Sequence, residues 1–321
     1  MKKSSILALA VAPLVLGTSV AVQAQSVSTD PVGFVKTELP AGQLTPLGIN
    51  LLKPAVASGK VISIDGDSVT LSGEVSLDAG KGYYLEVADG NLEGDRVDVA
   101  NASGNVITLN LSASHNTIDA NALEVDSRVV IRPHVTFGDI TDMIGADNLH
   151  TGNDTPDTTQ LLTYDEGGFV VNAYFDGVWY DAAFNEIDNN IIAPGTGLLF
   201  RNAGSEAAEA ISLGEVRTNN FILPLKPGLQ MVSLGYPVDR SPNDYGMNLE
   251  SFTGAEIDAS EGDQVLTLTP SGFDINVLYS DGVWYDGQFN DVSDDALFAA
   301  DGTVLLRKIE SDPDFVIIKP Y

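Results

Sequence analysis

From Asp30 onward, apolar residues come in short runs broken by Gly, Pro, Asn and Asp. Val61-Ile62-Ser63-Ile64, Ser68-Val69-Thr70-Leu71, Tyr83-Tyr84-Leu85-Glu86-Val87 and Val106-Ile107-Thr108-Leu109 set the pattern. Short β-branched and aromatic runs bounded by turn formers read as strands, and their regular spacing predicts an antiparallel sandwich or barrel. Helical periodicity is confined to two short segments, over 137–149 and 245–252.

One stretch occurs twice. Asp176-Gly177-Val178-Trp179-Tyr180-Asp181-Ala182-Ala183-Phe184-Asn185 returns as Asp281-Gly282-Val283-Trp284-Tyr285-Asp286-Gly287-Gln288-Phe289-Asn290. Both tryptophans of the chain lie in it. A match at one fixed offset points to a duplicated unit. Asp-Gly ahead of aromatic β-formers predicts a tight turn feeding a strand, with Gly supplying the positive φ. The similarity extends upstream, where Leu161 to Tyr164 matches Val265 to Leu268, and downstream, where Gly195 to Arg201 matches Asp301 to Arg307. A fainter copy opens the chain: Phe34, Pro40, Gln43, Leu47 and Gly48 align with Phe221, Pro227, Gln230, Leu234 and Gly235.

The expected fold is therefore all-β, with tandem antiparallel sandwich-like modules: two clear repeats and one divergent N-terminal copy. The boundaries predicted are 25–125, 126–216 and 217–321, joined by linkers near 112–122 and 203–210. Ahead of them, Met1-Lys2-Lys3, the apolar run Ile6 to Val22 and Val22-Gln23-Ala24 have the form of an export signal cleaved after Ala24, over 1–24.

Several strings resemble a paralogous family of secreted, uncharacterised β-rich proteins of Verrucomicrobium and relatives. They are Gly214 to Phe221, Val232-Ser233-Leu234-Gly235-Tyr236-Pro237-Val238-Asp239-Arg240-Ser241-Pro242, Ile131-Arg132-Pro133-His134, and the opening Asp30 to Val35. The resemblance covers most of the chain beyond the signal and implies export, a β-rich fold and a structural or surface role. It implies no catalytic residue.

Composition narrows the chemistry. The net charge of −29 repels nucleic-acid phosphates and anionic headgroups, and the chain contains no cysteine. No later run reaches the roughly 18 apolar residues of a spanning helix. His115, His134 and His150 show no ligand spacing among themselves, and neither His-Glu-x-x-His nor Gly-x-Ser-x-Gly occurs. No catalytic residue or cofactor is assigned, and an enzyme is not expected.

Two other constellations stand out. Glu186 and Asp188 follow the first Trp hairpin, and Asp291, Asp294 and Asp295 follow the second. Oxygen-rich loops of this kind suit calcium, although Asp and Asn are equally turn formers. Trp179, Tyr180, Trp284 and Tyr285 are either core residues or stacking faces for a sugar. The function expected is an exported, non-enzymatic structural or adhesive protein of the cell surface or extracellular matrix, with the periplasm as an alternative location. Its expected partners are like molecules or a surface polysaccharide. The alternative is a carbohydrate-binding module built on the Trp-Tyr hairpins. Burial of the indole rings decides between them.

Overall fold

The computed structural model describes residues 31–118 and 122–321. The expected export signal over 1–24 lies outside the described residues.

The described residues open with β1 (Val32–Leu39) and β2 (Leu44–Leu47), which do not pair with what immediately follows. Next comes a closed six-stranded barrel of β3 (Ala57–Asp65), β4 (Ser68–Leu71), β5 (Tyr83–Val87), β6 (Arg96–Ser103), β7 (Val106–Asn110) and β8 (Arg128–Pro133). Its order is β3-β4-β7-β6-β5-β8, and β8 returns to β3 through Ala57↔Ile131. Alternation explains the closure. Val69, Leu71, Leu85, Val87, Val97, Ile107, Leu109, Val129 and Ile131 all turn inward and are buried. Full closure removes sheet edges, and period-2 patterning fills the interior with aliphatic side chains.

After the barrel come β9 (Val135–Thr136), helix α1 (Phe137–Ile144), β10 (Gln160–Asp165), β11 (Gly168–Phe175), β12 (Val178–Tyr180), β13 (Ile191–Ile192), β14 (Leu198–Arg201) and β15 (Ala208–Glu215). The five-stranded sheet β12-β11-β10-β14-β2 recruits the early strand β2, and β1 pairs with β15 along its whole length. Helix α1 begins with a capping box between Thr136 and Asp139, which satisfies free N–H groups at its start.

The chain finishes with β16 (Phe221–Leu225), β17 (Gly228–Val232), β18 (Gln264–Thr269), β19 (Gly272–Leu278), β20 (Trp284–Tyr285), β21 (Val304–Lys308) and β22 (Asp312–Ile317). Here the sheet runs β17-β21-β18-β19-β20, with β16 paired to β22. The two five-stranded sheets thus have the same connectivity, except that the barrel interrupts the first between β2 and β10.

This pairing corrects the expected division. Residues 32–47 form no separate N-terminal module, because their partners are β14 and β15. Tyr83 to Leu85 and Val129 to Pro133, placed in different expected modules, pair with each other as barrel strands. The expected linker over 203–210 runs into β15, and part of that over 112–122 is bonded to the barrel wall through Asn116 and Thr117. Of the two helical segments, 137–149 holds α1, whereas 245–252 makes only turns.

The sheets pack face to face. Leu162, Leu199, Met231 and Leu305 form a shared core between them. Strand β14 shows why its run is continuously apolar: Leu199 faces this shared core, while Leu198 and Phe200 face a second core under α1. Strand β21 does likewise, with Leu305 inward and Val304 and Leu306 in the opposite core. A strand covered on both faces loses polar alternation. The approach is close at Gly197, where an added Cβ would lie 1.9 Å from the Thr303 Oγ1 and 2.7 Å from the Val232 nitrogen.

The barrel's polar outer wall is fastened to the chain around β15 and β16. Glu86 on β5 pairs with Arg217, and Arg132 on β8 pairs with Glu215. Arg96 donates to the carbonyls of Ile222 (2.6 Å) and Pro194 (3.2 Å), and its guanidinium and that of Arg217 both face the Phe221 ring. Burial lowers the Arg96 pKa to about 10, still cationic at neutral pH.

Candidate functional site

Both indole rings are fully buried, at 0 % exposure. Trp179 packs against Tyr174 and Phe137, and its Nε1–H donates to Thr141 Oγ1 at 3.0 Å. Trp284 packs against Phe252 and donates to the Met247 carbonyl at 2.7 Å. The stacking role considered for Trp179 and Trp284 is therefore overturned, because period 2 turns the indole inward. The same period turns Tyr180 and Tyr285 outward, where both remain partly exposed.

Each of these tyrosines belongs to a surface trio of rings. Phe175, Tyr180 and Phe184 lie with centroids 6.1 to 6.4 Å apart. Tyr279, Tyr285 and Phe289 lie 5.6 to 6.2 Å apart. At each summit the phenylalanine is exposed, Phe184 to 69 % and Phe289 to 68 %. Both have φ of 61°, in the left-handed region, which costs an L-residue about 1–2 kcal/mol.

A carboxylate builds each loop. Asp181 Oδ1 accepts from the N–H groups of Ala183 and Asn185, both at 2.9 Å, and Oδ2 accepts from Asn185 Nδ2 at 2.9 Å. Asp286 repeats this with Gln288, Asn290 and the Asn290 amide, all at 2.8 Å. Hydrogen bonds from Asn185 and Asn290 hold both carboxyls below the ordinary Asp range. The aromatic tips are thus displayed on preformed loops.

The acidic residues expected to hold calcium have other partners. Asp188 accepts from the Trp179 backbone at 2.7 Å, Asp291 from the Ser293 backbone at 2.9 Å, and Asp294 from the Asn243 amide at 2.8 Å. Glu186 forms a backbone bridge with Tyr180, and the Asp295 backbone closes a turn onto Val292. Among the described residues they gather no set of three ligands. Their geometry is that of turn formers.

The one such set among the described residues is Asp98, His115 and His134, whose ligating atoms all lie within 4.8 Å of one another. Barrel register assembles it. Tyr84 on β5 stands opposite Asp98 on β6 and Arg132 on β8, and His134 follows Arg132 by one further period. Its ring lies 4.9 Å from that of Tyr84. His115 arrives on the loop after β7, pinned where Asn116 accepts from the Asp98 N–H at 2.9 Å and Thr117 accepts from that of Arg96 at 2.8 Å. Both imidazole Nε2 atoms lie 2.8 Å from the same Asp98 oxygen. Burial pushes the Asp98 carboxyl up, but the two histidine bonds outweigh it and hold the pKa at about 2. His134 is 2 % exposed, and its Nδ1 is buried without a protein partner.

Nothing in the residue spacing announced this cluster, since its members come from one strand, a loop and the link between β8 and β9. The usable signal was charge at alternate positions of apolar strands: Glu86, Arg96, Asp98 and Arg132 mark one outward wall. Comparison of the chain with protein-family models, curated proteins and solved structures finds no match.

Proposed function

We propose that the chain is an exported, non-enzymatic adhesive protein that holds a neutral surface polysaccharide through its twin aromatic tips. The observation carrying this reading is the exposed Phe184 and Phe289, each in the left-handed conformation on an Asp-braced loop. Strained, exposed aromatic residues offer no folding advantage, and strain of this kind collects where a surface is used. Two such loops in one chain support one unit used twice, with the barrel inserted in the first copy. A flat ring meets the C–H face of a pyranose, and the nearby amides of Asn185 and Asn290 suit its hydroxyls. The charge of −29 favours neutral over anionic polymers. Resemblance to an exported family and the form of the N-terminus support placement outside the cell.

Retention on insoluble neutral and acidic polysaccharides tests the proposal, using the wild type, Phe184→Ala, Phe289→Ala and the double variant. Retention on a neutral polymer is expected, weakened by either substitution and abolished by both, with the melting temperature preserved. Retention of the double variant at wild-type level would refute it, as would failure of the wild type to bind any neutral polymer.

A further inference from the structure

We propose that Asp98, His115 and His134 form a binding site for one borderline divalent transition-metal ion, of which Zn²⁺ is the natural probe. Two imidazoles and a carboxylate are the donors such ions take, whereas Ca²⁺ and Mg²⁺ prefer all-oxygen shells. The spacing is close to what the ion needs. Zn–N and Zn–O bonds of about 2.0–2.2 Å place neighbouring ligands about 2.9 Å apart at a right angle and about 3.4 Å at the tetrahedral angle. Both Nε2 atoms lie 2.8 Å from Asp98 Oδ1 and all three ligating atoms lie within 4.8 Å of one another, so a small rearrangement of the rings admits the ion.

The protein allows that movement on one side and resists it on the other. His134 is buried, and its backbone is tied to Gly82 at 2.9 Å. A Cβ at Gly82 would come within 3.4 Å of the His134 ring, so glycine leaves the imidazole its place. His115 is partly exposed on its loop and gives the ion its approach. With Nδ1 of His134 lacking a partner, the ring hydrogen sits on Nε2 and points at Asp98. Binding of the ion through Nε2 moves that hydrogen to Nδ1. Three protein ligands leave a fourth position for water.

The test is titration of the full chain with Zn²⁺ by calorimetry in millimolar Ca²⁺, which occupies surface carboxylates, together with the nitrogen resonances of ¹⁵N-labelled histidine. One Zn²⁺ per chain is expected. The Nε2 signals of His115 and His134 should move while His150, the remaining histidine, stays still. His115→Ala and Asp98→Asn should each weaken binding at least tenfold, whereas Asp294→Asn should leave it unchanged. Absence of Zn²⁺ binding would overturn the site, as would undiminished affinity in His115→Ala. The resonances are read on the wild type, so they decide the matter even if a variant folds poorly. Neither readout involves polysaccharide, so this inference and the proposed adhesion fail independently.

Discussion

At the scale of single residues, Phe184 and Phe289 are placed against their own backbone preference. Asn and Gly tolerate positive φ, whereas a bulky aromatic residue there is an outlier. Replacing either by Gly removes the strain but also the contact with its neighbouring rings. We expect Phe184→Gly and Phe289→Gly to leave unfolding free energy within about 1 kcal/mol of wild type, in either direction, because Gly relaxes the turn while loosening the unfolded chain. Denaturant titration measures this. A loss well beyond that range would make the phenylalanines structural pegs. The sequence displayed this repeated Phe but gave no reason to choose it over Trp, since exposure depends on the loop that Asp181 and Asp286 brace.

Among the elements, the hairpins were the most legible. Asp-Gly turns, the strands beside them and the short helix all follow from local chemistry. Even so, one dipeptide makes two turns: Asp176 and Gly177 both have positive φ, as a type I′ turn requires, whereas at Asp281-Gly282 only the glycine does. The indoles these hairpins bury are central to packing. Trp284→Ala should cost about 3–5 kcal/mol, the usual range for emptying a buried aromatic site. The variant leaves Trp179 as the sole indole, so fluorescence then reports the first sheet alone. Because Leu162 and Leu199 share a core with Met231 and Leu305, fluorescence and circular dichroism should give the same midpoint. Separate transitions would mean that the sheets fold apart.

For the whole molecule, local patterning ceased to be informative. Phe34, Leu47 and Gly48 were visibly related to Phe221, Leu234 and Gly235, yet nothing local showed that Leu47 completes the sheet of the first Trp hairpin, and Phe34 pairs with β15, across an intervening barrel. Pairing at such distance is set by which edges remain open, not by residues near the boundary. The barrel, in turn, is joined to the chain around β15 and β16 by buried charge. Glu86 is 3 % and Arg217 1 % exposed, and removing one partner of a buried pair leaves the other charge uncompensated, at about 3–5 kcal/mol. Glu86→Ala should therefore destabilise the chain by that amount and speed amide exchange first in β5 and in the segment around Arg217. Unchanged exchange there would show that the barrel is held by other contacts.

The pairing of β1 with β15 also sets a clock. Val32 meets Glu215, and Leu39 meets Ala208, so β1 and β2 have no partners until β14 and β15 have been made. At ribosomal speeds of about 5–20 residues per second, that delay is on the order of ten to forty seconds. A chain that must be threaded across a membrane before it folds, as proposed here, gains from a first sheet that cannot close early. The same interval leaves two bare strands able to pair with a neighbouring nascent chain, so rapid synthesis of this protein favours entanglement between copies.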